Sequence, residues 1–70
     1  MKKSLQIQIG ERIKDILVEK GLKQQELADS AGMTKSYLSR IIHGTENVTV
    51  QTIEALQRAL KESIIQIGDN

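Results

Sequence analysis

The sequence contains no cysteine, no proline, no phenylalanine and no tryptophan, and its only aromatic residue is Tyr37. Without cysteine there is neither a disulfide nor a thiolate metal site to staple the chain. The lone histidine, His43, excludes a multi-histidine metal centre within one chain. Without proline, nothing in the sequence breaks a helix by removing a backbone donor. No apolar run approaches the roughly 20 residues that cross a bilayer, so no membrane partner is expected. The opening "MKKSLQIQIG" has two lysines, as a signal peptide would. Gln6 and Gln8 interrupt its apolar part, however, and Glu11 and Arg12 follow at once, so no signal-peptide core forms. Lack of cysteine and of an export signal makes the cytoplasm the expected location. A strong charge is missing too: ten basic and nine acidic residues leave a net charge of +1. That excludes a polybasic protein, but not one that meets nucleic acid with a single face.

Seventy residues make one small domain, expected to span residues 1–70, or a piece of something larger. A domain of this size buries only about 60% of the surface its unfolded chain exposes. Its core must be aliphatic, built of isoleucine and leucine. Ile9, Ile13, Ile16 and Leu17 recur at helical spacing, with Glu11, Arg12, Lys14, Asp15 and Glu19 between them. This predicts a first helix that stops at Gly21, with Lys20 favourably placed at its C-terminal end. Leu5 and Ile7 alternate with glutamine, which fits either a short strand or a first helical turn.

"LKQQELADSAG" predicts a short second helix beginning at Lys23 or Gln24 and ending at Gly32, with Leu27, Ala28 and Ala31 facing inward. Thr34 is placed to cap a third helix from Lys35 to about Ile42, closed by Gly44. "HGTENVT" reads as a loop, and Thr49 as the cap of a fourth helix from Val50 to about Leu60, with Ile53, Leu56 and Leu60 as its apolar stripe. The tail "KESIIQIGDN" fits either a short fifth helix or a strand. The fold class is therefore all-α, a compact bundle of four to five short helices.

Two short helices joined by a glycine-containing turn follow the helix-turn-helix plan. Counted from Gln24, Ala28 is the fifth residue, where the helices cross and a larger side chain would push them apart. Gly32 is the ninth, in the turn, where a left-handed backbone is wanted. Leu27, Ala31, Met33, Leu38 and Ile41 fall where the motif needs hydrophobes. The third helix then has an apolar back of Leu38, Ile41 and Ile42, and a front of Lys35, Ser36, Ser39 and Arg40.

With "IGERIK", "GLKQQELA", "AGMTKSYLSRIIHG" and "NVTVQTIEAL" in this order and spacing, the chain from Ile9 to about Leu60 resembles the Cro/cI-type, Xre-like helix-turn-helix family. It departs from that family's pattern at Lys23, where a capping serine or threonine is common, and at Val48, where many members carry proline. The resemblance implies a lambda-repressor-like fold with the motif at about residues 24–43. It also implies sequence-specific binding of double-stranded DNA, with the third helix in the major groove.

Carried over by position, Lys35, Ser36, Ser39 and Arg40 are the expected base contacts. Arginine donates twice to guanine O6 and N7, lysine donates to the same atoms, and serine donates or accepts. Gln24, Tyr37, Thr45 and Asn47 are the expected backbone contacts, which fix position rather than sequence. Tyr37 is equally suited to covering the edge of the core. His43 suits a helix-end cation better than a contact. One short helix reads few base pairs, so the resemblance implies a homodimer on a two-fold operator, acting as a transcriptional repressor.

The alternative is an antitoxin-type autorepressor, or a protein-interaction module that holds a toxin or other partner through the apolar segment "SIIQI". Catalysis is not expected. Ser39 and His43 are four apart, but no acid lies close by in sequence to orient the histidine, and no phosphate-binding glycine loop or metal-ligand spacing occurs. No cofactor is implied.

Overall fold

A computed structural model of the chain describes residues 4–64. Four helices account for most of them: α1, Leu5–Lys20; α2, Gln24–Ala31; α3, Lys35–Ile42; and α4, Val50–Leu60. The described residues contain no strand.

Helix starts are fixed by local hydroxyl groups. Ser4 Oγ accepts from the Ile7 amide at 3.2 Å, Thr34 Oγ1 from Tyr37 at 3.0 Å and Thr49 Oγ1 from Thr52 at 3.1 Å. Each satisfies a first-turn N–H that has no partner inside its helix. α2 begins differently. Lys23 sits at the capping position, and the Glu26 carboxylate reaches back to accept from the Lys23 amide at 2.8 Å. The missing serine is thus offset by the other half of a capping box.

The segment Leu5–Ile7 resolves as helix, because Ser4 caps it and it continues into the Ile9–Leu17 stripe. Leu5 and Ile7 are largely exposed, although Ile7 lies against Gly44 of the loop after α3. The core comprises Ile9, Ile13, Ile16 and Leu17 of α1, Leu27 and Ala28 of α2, Leu38 and Ile41 of α3, Leu56 and Leu60 of α4, and Ile64. Ala31, Met33, Tyr37 and Ile53 pack against it, partly buried.

Two glycines set the geometry. Gly32 has φ of +73° and lets the Met33 amide reach the Ala28 carbonyl at 2.9 Å, which turns the chain from α2 into α3. Gly10 lies inside α1, where glycine is unfavourable by propensity. A Cβ there would stand 2.3 Å from the Ile42 carbonyl oxygen and 2.7 Å from that of Ile41. α1 therefore crosses α3 at its last turn, backbone against backbone.

The described part of the tail, residues 61–64, forms a turn. α4 ends at Lys61 with φ of +57°, the one described non-glycine residue in the left-handed region. The chain then folds back, the Ile64 amide donates to Gln57 Oε1 at 2.9 Å, and Ile64 enters the core at 6% exposure. Lys20 and Glu62 pair at 3.3 Å across the same seam. Ile64 is therefore not free apolar surface for a partner. Residues 65–70, with the rest of the expected fifth element, lie outside the described residues.

Candidate nucleic-acid interface

At 3.6 residues per turn, positions 35, 36, 39 and 40 fall within an arc of roughly 140° on α3. Leu38 and Ile41, on the opposite side, are fully buried. Lys35, Ser36 and Arg40 are exposed, and Ser39, within the same arc, is half-buried. The structure thus brings the four expected base-reading side chains onto one face.

Arg40 is held in place on that face. Its Nε donates to Glu46 Oε1 at 2.8 Å, its Nη1 donates to Ser36 Oγ at 3.2 Å, and its guanidinium lies 5.7 Å from the centre of the Tyr37 ring. One acidic side chain also reaches this face. Glu46, in the loop after α3, curls back to it because Gly44, with φ of +75°, reverses the chain there. The pair is exposed, 51% for the arginine side chain and 29% for the glutamate, so it adds at most about 1 kcal/mol to stability.

The expected backbone contacts divide. Gln24 is half-buried at the start of α2, and its side chain has no hydrogen-bond partner among the described residues. Asn47 is exposed, and its Oδ1 accepts from the side-chain amide of Gln6 in the first turn of α1. That orientation turns the Asn47 NH2 group away from Gln6. Thr45 is different: its amide and its hydroxyl both donate to the Arg40 carbonyl, at 3.0 and 3.2 Å. It closes α3 and has no donor left for a phosphate. Tyr37 bridges α3 to the start of α4, its hydroxyl 3.4 Å from Thr52 Oγ1 and its ring half-buried against the core.

Sequence reading missed Glu46, Gln6 and Thr52. The signal for Thr52 was local, since it sits in the capping turn of Thr49. Glu46 and Gln6 act across a chain reversal and across two helices, which no helical spacing reports.

Ser39 and His43 do not form a nucleophile–base pair. Nδ1 of His43 is 2.7 Å from the Ser39 carbonyl, which can only accept, so Nδ1 carries the proton. It therefore cannot take one from Ser39 Oγ, 3.5 Å away. Among the described residues no group of acidic or histidine side chains is arranged to hold a metal, and no helix is long and apolar enough to cross a membrane.

Comparison with known proteins places the chain. The sequence profile of a helix-turn-helix family matches residues 13–67. The HTH-type transcriptional regulator SinR of Bacillus subtilis is 42% identical over 62 residues, covering 87% of this chain and 56% of SinR. The immunity repressor of Bacillus phage phi105 is 40% identical over 52 residues, covering 74% of this chain and 36% of the repressor. The chain thus spans about half the length of the first relative and about a third of the second. Among solved structures, the restriction-modification controller protein C.Esp1396I, as a tetramer in complex with its natural 35 base-pair operator, superposes with a TM-score of 0.81. It shares 29% identity, over 89% of this chain and 82% of the controller.

Proposed function

The chain belongs to this helix-turn-helix family, and from that premise we propose that it is a sequence-specific double-stranded DNA-binding transcriptional regulator. One observation carries the reading. α3 presents Lys35, Ser36, Ser39 and Arg40 on a single face whose back is anchored in the core. Among the described residues Nη2 and one Nη1 hydrogen of Arg40 have no partner, so it can donate two parallel bonds to guanine O6 and N7 in the major groove. Lys35 and Ser36, exposed in the first turn, reach neighbouring bases. Gln24 and the NH2 group of Asn47 flank the helix and donate to phosphates, which fixes its register without reading sequence.

The protein acts as a homodimer on a two-fold operator, as one two-turn helix reads too few base pairs for specificity. Two copies would set their recognition helices about 34 Å apart, one turn of duplex. With Ile64 in the core, the pairing surface lies elsewhere than on that residue. A role as a repressor agrees with the name of the phage relative. The protein is not an enzyme in this reading, and it works in the cytoplasm, where its DNA is. The antitoxin alternative loses its motivation, since the first isoleucine of "SIIQI" is already covered by the chain's own helices.

The test is repeated selection of duplexes from a random-sequence library by the purified protein. The expected result is an enriched, two-fold symmetric sequence bound with two chains per site. Failure to enrich any sequence would refute the reading.

A further inference from the structure

Arg40 is restrained by three neighbours: Ser36 at Nη1, the Tyr37 ring, and Glu46 at Nε. Only Glu46 carries charge. We propose that Glu46 is a specificity-determining positioning residue, whose carboxylate holds Nε of Arg40 so that the Nη1 and Nη2 end faces a guanine edge. The proposal rests on the DNA-binding reading above.

Bidentate recognition needs a guanidinium held in one plane, because both N–H groups must meet their acceptors together. An exposed arginine on a flexible stem does not supply that alone. Glu46 can, because its own place is fixed on both sides in sequence. Thr45 donates twice to the Arg40 carbonyl, and Asn47 is tied to Gln6. The carboxylate occupies Nε and leaves the far end of the guanidinium open, which suits end-on approach to a base.

Its cost supports the assignment. A carboxylate beside a DNA-binding helix repels phosphates and weakens binding to every sequence. The exposed ion pair returns little stability in exchange. A difference in affinity between right and wrong sites is what such a group provides. Without it, only the neutral Ser36 hydroxyl and Tyr37 ring oppose a swing of Arg40 onto a phosphate, which carries no sequence information.

The experiment uses the duplex enriched by the wild-type protein and a scrambled duplex of the same composition. Binding of wild type, Glu46→Gln, Arg40→Ala and the double variant is titrated on both. Glu46→Gln is expected to bind the scrambled duplex more tightly. It is also expected to lose about three- to tenfold of the cognate-to-scrambled ratio, a coupling of the size found between residues in contact. In the Arg40→Ala background the same change should leave that ratio unaltered. Selection repeated with Glu46→Gln should relax the preference for guanine at one position of each half-site. If Glu46→Gln strengthened binding to both duplexes by one factor, Glu46 would be a phosphate repeller only, and the proposal would be overturned. An equal loss of ratio with and without Arg40 would overturn it as well, since Glu46 would then act through another group. If wild type enriched no duplex, the DNA-binding reading and this proposal would fall together. A wild type that discriminates beside a Glu46→Gln variant that discriminates equally removes this proposal alone.

Discussion

Gln6 donates its side-chain amide to Oδ1 of Asn47, which ties the first turn of α1 to the loop that follows α3. The bond uses the acceptor of Asn47 and leaves its NH2 group to face outward. Asn47→Asp keeps the acceptor for Gln6 but replaces the outward donor with a negative charge. Stability should therefore change little, while binding weakens on every duplex by about 1.5–3 kcal/mol, the range for a hydrogen bond to a charged group. Thermal melting and titration on enriched and scrambled duplexes check the two halves. Loss on the enriched duplex alone would show that Asn47 reads a base.

Gly10→Ala sets propensity against packing. In an isolated helix alanine is better than glycine by roughly 0.8–1 kcal/mol. In this fold the added methyl would meet the Ile42 carbonyl oxygen at 2.3 Å. We expect a net loss of about 1–3 kcal/mol, the usual cost of overpacking, read as a lower melting temperature. A rise would mean that α1 and α3 are not in close backbone contact.

Ile64→Ala tests the returning tail. Ile64 is 6% exposed, and a buried isoleucine cut to alanine costs about 2–5 kcal/mol. Chemical denaturation should show a loss in that range, large for so small a domain. Unchanged stability would place Ile64 back on the surface and restore it as a candidate contact for a partner.

Arg40→Ala and Gln24→Ala should differ in kind. Loss of a base-reading arginine costs about 1–3 kcal/mol on the enriched duplex and much less on a scrambled one. Loss of Gln24 should weaken both alike, since a phosphate looks the same in every sequence. Neutral glutamine displaces no counterion, so the dependence of binding on salt should stay nearly unchanged. Equal weakening of both duplexes by Arg40→Ala, with a shallower salt dependence, would make Arg40 a backbone clamp and leave reading to Lys35 and Ser36.

The sequence alone determined where α2, α3 and α4 run, where α1 ends, and which side of each is buried. Thr34 and Thr49 cap helices because a hydroxyl reaches an amide three residues on, and Gly32 ends one because only glycine takes a left-handed turn freely. Ile13, Ile16, Leu38, Ile41 and Leu56 are buried because helical periodicity puts them on one stripe. These are interactions within a turn or two, so spacing reports them. Tertiary structure decided the rest. Gly10 is explained only by the carbonyls of α3 crossing above it. Ile64 joins the core only because the chain reverses at Lys61, which carries no glycine to announce the turn. Thr45 closes α3 because Arg40 offers it a carbonyl, and Glu46 meets Arg40 because that same turn brings it back. The faces were legible because helical geometry is local. The partners of the side chains on them were not, because they depend on how separate helices and turns are brought together.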